Sequence, residues 1–401
     1  MEVSDFRKSI KVKIGILLLL SLVLTACETE EEAAESHLQK GVELLEKGDY
    51  AAAQLELKTA RQGNKSTAET YYYLALLDEK TRHYLAMEDN LQKTLELEPE
   101  HQQARVKLGK LQLSMGKVAD ADENAEILLA KNPKNVEALS LKASILLRQK
   151  KQAEAAQVII NRILELEPEN IDGLSLQAMV LVQKDQLTEA ILIINKAIEV
   201  DEKNVALHFF KIQTHGKQKD VDAVINDYLT LITLFPNNDQ YKITLAKIYT
   251  QSKKLGEAEK LLRDFVAAKP NQIKPKILLL EFLSVTAGDK VDQQIKIFTQ
   301  QLSGQPKQLL KFSKWMLAKG NVSRAEEILK QVVADQGYSE TGVESNILLA
   351  KIAFDSRNFL ITKKITDDIL HEVPDQLDAK LLQVRLLLVE EQYKQAKAYL
   401  N

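Results

Sequence analysis

LELEPEN, residues 164–170, has a near copy in LELEPEH at 95–101, and looser copies follow the same grammar: LAKNPKN (129–135), IEVDEKN (198–204), LITLFPNN (231–238) and LHEVPDQ (370–376). Prolines fall at 99, 133, 168, 236, 270, 306 and 374, so successive gaps are 34, 35, 68, 34, 36 and 68. The 68s are two periods with one proline replaced. Proline cannot continue a helix, so this spacing marks the ends of units about 34 residues long. Of the eight prolines only Pro275 stands outside the pattern.

A second marker sits about seventeen residues further on. It reads KGDYAAA (47–53), MGKVADA (115–121), KKQAEAA (150–156), KDQLTEA (184–190), KKLGEAE (253–259) and KGNVSRA (319–325). Each is a polar or glycine-containing turn with a small residue one helical turn later: Ala53, Ala121, Ala155, Ala190, Ala258, Ala325 and finally Ala396. Upstream in each unit a small residue recurs at Gly41, Ala75, Gly109, Ala143, Ala178, Ala246 and Ala350. Small residues at both places let two helices approach closely. Large ones such as Leu74, Leu108, Leu139, Leu174 and Leu245 fill the space around them. Glycine (14) and proline (8) are scarce and aromatics make up 5%, a composition that favours helix almost throughout.

This pattern resembles the tetratricopeptide repeat, a helix–turn–helix unit of 34 residues. The resemblance covers 34–401 and implies an all-α class: an alpha-solenoid, a right-handed superhelix of helix–turn–helix repeats. Units are expected near 34–67, 68–101, 102–135, 136–170, 171–204, 205–238, 239–272, 273–305, 306–342 and 343–376, with a partial eleventh from 377. Two depart from the pattern, because Ile212 and Leu280 stand at the small first-helix place. The segment DQGYSETG (335–342) reads as a loop longer than its counterparts. The last unit stops at Asn401 within its second helix without a polar cap, so the array is expected to continue in a longer chain.

The N-terminus carries a different message. Arg7, Lys8, Lys11 and Lys13 precede the apolar run IGILLLLSLVL (14–24), and the single cysteine, Cys27, follows Leu24, Thr25 and Ala26. This is the layout of a secretory signal; the apolar stretch from Ile14 to Ala26 has thirteen residues, short of the roughly 20 needed to span a bilayer core. Leu24-Thr25-Ala26-Cys27 resembles the lipobox of bacterial lipoproteins, which implies cleavage before Cys27 and acylation of that residue. Residues 1–26 are then the signal peptide and 27–33 an acidic tether, within ETEEEAAE (28–35). Glu28, where inner-membrane lipoproteins often carry aspartate, implies an outer-membrane address facing the periplasm. The alternatives are an ordinary signal with a chance cysteine, and a cytosolic protein with a misread start.

Charge and chemistry exclude several classes. The formal charge is −3, from 54 basic and 57 acidic residues; losing the four basic and two acidic side chains of the signal leaves −5. A nucleic-acid binder would show a basic face. No HExxH, phosphate-binding glycine loop or cysteine pair is present, so no enzyme, metal or cofactor is expected. His208 and His215, seven apart on one helix face, could share a metal or be two unconnected side chains.

Binding is the remaining route to function, with other proteins as the expected partners. In the family that 34–401 resembles, first helices line a concave surface, and that resemblance places Lys110, Lys247, Lys314, Lys351 and Arg385 at its ninth positions, as a mildly basic inner strip or as ordinary surface charge. Phe209, Phe210 and Trp315 are anchors for a partner or plugs of the inter-helix core. The opening unit VELLEKGDYAAAQLELKTA (42–60) is similar to that of the repeat lipoprotein of exopolysaccharide and PEP-CTERM sorting systems. A pilus or secretion-system assembly lipoprotein and the regulatory part of an enzyme-fused chain are the competing readings.

Overall fold

The computed structural model describes residues 30–62, 67–149 and 152–400. Leu24, Thr25, Ala26 and Cys27 lie outside the described residues. Among those residues the chain is helical with no strand, and it divides into two compact units, Met1–Gln218 and Lys219–Asn401.

The first unit contains α1 (Glu30–Glu46), α2 (Tyr50–Gln62), α3 (Ala68–Thr81), α4 (Tyr84–Leu97), α5 (Gln102–Ser114), α6 (Val118–Lys131), α7 (Val136–Arg148), α8 (Ala153–Leu166), α9 (Ile171–Gln183), α10 (Leu187–Val200) and α11 (Val205–Lys217). The second contains α12 (Val221–Leu234), α13 (Asp239–Gln251), α14 (Leu255–Ala268), α15 (Ile273–Thr286), α16 (Val291–Gln301), α17 (Pro306–Ala318), α18 (Val322–Gln336), α19 (Glu340–Asp355), α20 (Phe359–Glu372), α21 (Leu377–Val389) and α22 (Tyr393–Leu400). Within each unit consecutive helices pack on one another, and α17 packs chiefly on α15 and α18. The apolar face of one hairpin is therefore covered by the next hairpin, as nearest-neighbour stacking requires.

The residues that end LELEPEN have a mechanical role. Asn135, Asn170 and Asn204 cap α7, α9 and α11, their Oδ1 atoms accepting from the backbone N–H three residues on at 2.8, 2.8 and 3.3 Å. Asn238 caps α13 through Gln240 N at 3.1 Å. Each satisfies a donor that the first turn of a helix leaves open. The turn inside most hairpins has its own requirement: a left-handed residue at the fifteenth position of the repeat. Gly48, Gly116 and Gly320 fill it at φ 78°, 82° and 80°. Arg82, Asp185, Lys219, Lys253, Arg357 and Glu391 fill it at φ between 58° and 63°, against the steric preference of residues with a Cβ.

The small residues are where close approach happens. Ala53, Ala121, Ala190, Ala258 and Ala325 are fully buried, as are Ala75, Ala143, Ala178 and Ala350. A Cβ added to Gly41 would lie 2.6 Å from Leu57 Cγ, and one added to Gly109 would strike the Leu141 side chain.

Three expectations need correction. The buried small residue of α8 is Ala156, not Ala155, which is exposed. The second helix there starts 17 residues after the first, whereas the repeats on either side start theirs after 16, so the extra residue of that 35-residue repeat falls between its helices and shifts the register by one. DQGYSETG is not an extended loop: Asp335 and Gln336 close α18, Ser339 caps α19 through Gly342 N at 3.3 Å, and Glu340–Gly342 add a turn to a helix of 16 residues. Glu30 to Glu35 belong to α1 rather than to a tether. Glutamate and alanine are good helix formers, and acids suit the positive end of a helix dipole. Pro275 breaks nothing, since it occupies the first turn of α15, where its missing N–H is not needed.

Candidate functional site

The fourth residue of several first helices performs a task that the sequence does not advertise. Arg105 Nη2 donates to Pro99 O at 2.7 Å, His208 Nε2 to Glu202 O at 2.8 Å, Lys242 Nζ to Pro236 O at 3.1 Å and Lys276 Nζ to Pro270 O at 2.5 Å. In each case a cation or imidazole reaches back six residues to the carbonyl that ends the preceding repeat. Lys242 and Lys276 also lie 5.5 and 5.3 Å from the ring centroids of Phe265 and Phe298. Lys276 is completely buried, and burial holds its ammonium pKa below the usual lysine range. His208 is thereby tied to the backbone, and among the described residues no group of three or more His, Cys, Asp or Glu is placed to hold a metal.

The five ninth-position cations have different neighbours. Lys110 reaches Asp172 on α9 at 3.0 Å, Lys314 reaches Glu344 on α19 at 2.5 Å, and Lys351 reaches Asp378 on α21 at 2.9 Å. The Arg385 guanidinium stacks 4.2 Å above the Phe354 ring centroid. Lys247 is exposed and makes no hydrogen bond or ion pair with a described residue. Exposed lysine–carboxylate pairs are worth little, so a partner's carboxylate can compete for them; Lys247 asks for no exchange at all.

Lys247 stands on the wall of a groove of about 290 Å³ between α13, α14 and α15. Ile243, Ala246, Leu262, Leu278, Phe282 and Val285 give it an apolar lining, with Thr250, Gln251 and Glu281 at the polar side. Val285 is 81% exposed. Glu281, the ninth residue of α15, accepts from Lys319 at 3.2 Å and from Trp315 Nε1 at 3.4 Å. Trp315 is therefore half-buried, stacked on Phe312 at 6.0 Å between ring centroids and packed on the core of its repeat.

The family model of the tetratricopeptide repeat matches residues 106–171, and a second model of the same repeat matches 172–204. The fold is a tetratricopeptide-repeat solenoid. α13 and α15, which supply most of the groove's lining, are each the first helix of their hairpin. The solved Naa15/Naa10 complex bound to HypK-THB is similar over 92% of this chain and 57% of that one, at 14% identity and a TM-score of 0.50. A tetratricopeptide repeat protein of Parabacteroides merdae matches over 63% of this chain and 99% of its own at 16% identity, with a TM-score of 0.44. A thermophilic tetratricopeptide protein of Thermus thermophilus matches over 45% and 98%, at 16% identity and 0.42. No curated protein is significantly similar to the chain.

Proposed function

We propose that the chain is a lipid-anchored scaffold of the bacterial cell envelope that holds other proteins on the first helices of its repeats. The observation that carries the binding half is the Lys247 groove: an apolar trough beside an ammonium with no partner among the described residues, on the helices that repeats of this type turn towards ligands. It suits an extended or helical segment bearing an apolar side chain followed by a carboxylate. Lys110, Lys314, Lys351 and Arg385 extend the surface as secondary contacts. No catalytic residue is proposed.

The anchoring half rests on Leu24, Thr25, Ala26 and Cys27. One acyl chain holds a protein marginally and several hold it firmly, so a triacylated Cys27 would keep the scaffold at the periplasmic face of the outer membrane. Among the described residues no helix is long and apolar enough to cross a membrane. The pathway proposed is exopolysaccharide export or PEP-CTERM protein sorting, on the likeness of the opening repeat at 42–60. Fractionation of Cys27→Ala tests the anchor: the protein should leave the membrane fraction with its helical content unchanged. Continued membrane retention would overturn it. Cross-linking in the native host tests the pathway, and recovery of pilus or secretin subunits in place of export components would replace it.

A further inference from the structure

Three of the grooves between successive second helices are bridged from within the chain by a cation at or just beyond the hairpin turn and an acid on the preceding second helix. Lys117, the residue before α6, places Nζ 2.6 Å from Oε1 of Glu88 on α4, whose side chain is only 8% exposed. Lys254 makes the same contact with Asp222, and Arg324 reaches Asp292 at 3.2 Å. One repeat before Lys117 the acid is missing. The residue before α4 is His83, and the position equivalent to Glu88 is Gln54 on α2.

A cleft of about 680 Å³ lies at that place, lined by Gln54, Lys58, Arg61, Arg82 and His83 over a floor of Leu74 and Leu77. The side chains of Lys58 and Arg82 are exposed and form no hydrogen bond or ion pair with a described residue. The one acid in the lining, Asp78, is buried, and its Oδ2 accepts from Asn90 Nδ2 at 2.7 Å. His83 stays 3.9 Å from its other oxygen. Leu85, on the rim, is 71% exposed. The cleft therefore combines surplus positive charge, an apolar floor and a size suited to a side-chain cluster or small ligand.

We propose that this cleft binds an acidic segment of a protein partner, its aspartate or glutamate carboxylate taking the place that Glu88 occupies one repeat later. An apolar side chain beside that acid lies on Leu74, Leu77 and Leu85. The site deepens the scaffold reading by adding a docking point on the second helices, and it depends neither on the Lys247 groove nor on the membrane anchor. Charge complementarity selects the occupant: Lys117, Lys254 and Arg324 each meet an acid of the chain, whereas Lys58 and Arg82 share only the buried Asp78 in this cleft.

The test is fluorescence anisotropy of the full chain with a labelled peptide, LEELLEELLEEL, and its glutamine counterpart. The acidic peptide should bind with an affinity that falls with added salt, and the glutamine peptide at least tenfold more weakly. Lys58→Glu/Arg82→Glu should weaken binding at least tenfold at unchanged helical content. Gln54→Glu, which restores the internal acid, should weaken binding while holding or raising the melting temperature, separating a filled site from a damaged fold. All binding is measured in the Lys247→Glu background, so that the Lys247 groove, which also takes an apolar side chain followed by a carboxylate, does not contribute. Equal affinity for the two peptides, retention of binding by the Lys58→Glu/Arg82→Glu variant, or binding of phosphatidylglycerol vesicles without binding of the peptide would overturn the proposal.

Discussion

The repeats at 102–135 and 273–305 solve one packing problem in two ways. In the first, Gly109 and Ala121 stand at the two small places, and α5 comes so close to its neighbours that a Cβ on Gly109 would meet Leu141. In the second, Leu280 and Gln294 stand at those places, both buried. The hairpin is held by bulk: Leu279, Leu280, Phe282, Leu283, Ile295 and Phe298 pack with Phe312 and Met316. Its turn is a 3₁₀ segment, Gly288–Lys290, and its second helix has only 11 residues. A small-residue pattern thus marks close approach, whereas a bulky repeat of the same fold carries no short motif at all.

The comparison breaks most sharply at Phe298. Phe298→Ala should cost about 3–5 kcal/mol, as removal of a buried aromatic does. Because repeat arrays open locally, native-state hydrogen exchange should show protection lost in α15, α16 and α17 first. Uniform loss along the chain would contradict the account. The converse damage is overpacking: Gly109→Val should cost about 1–3 kcal/mol, read as faster exchange in α5 to α7. The same substitution at Gly116, whose added Cβ would meet nothing, tests turn strain instead of crowding.

Lys276 sharpens the comparison through pH. Its folded pKa is lowered by burial, so the folded state binds this proton more weakly than the unfolded state. The cost of burying the charge is in force below the folded pKa. It is relieved as pH rises from there towards the unfolded value, so stability contributed by this site increases with pH over that window. Lys276→Met should lack that increase in denaturant titrations run at successive alkaline pH values; an unchanged pH profile would contradict burial as the cause. The smallest effect belongs to the turns. Lys253→Gly removes the strain of a left-handed non-glycine residue at φ 60° and should stabilise α13 and α14 by up to about 1 kcal/mol, visible as slower local exchange. Gly320→Lys should do the reverse.

Much of the fold is legible because its determinants are local. The prolines, the Asn caps and the small residues each act within one hairpin or its neighbour, so a 34-residue period shows them directly. What the period missed is instructive. Ala156 replaced Ala155 because one extra residue sits between α7 and α8, and DQGYSETG gained a helical turn because Ser339 can cap Gly342. The reach of Lys276, Lys242, His208 and Arg105 to a carbonyl six residues back went unread, since no residue type is specific to it. The candidate site was partly legible: repeat numbering picked out Lys247, Lys314 and Lys351, but only side-chain geometry separates the one without a described partner from those facing Glu344 and Asp378. The basic cleft at Lys58 and Arg82 was invisible, because it arises from an acid absent at Gln54.

The most direct measurement is photo-cross-linking in the native host with a photoreactive residue at Lys247, compared with the same residue at Leu192, 59% exposed on a second helix. The account predicts a discrete protein adduct at Lys247 that is absent at Leu192 and lost in Val285→Glu. Equal adducts at both positions, or an adduct indifferent to Val285→Glu, would contradict the claim that this groove is where the scaffold holds its partner.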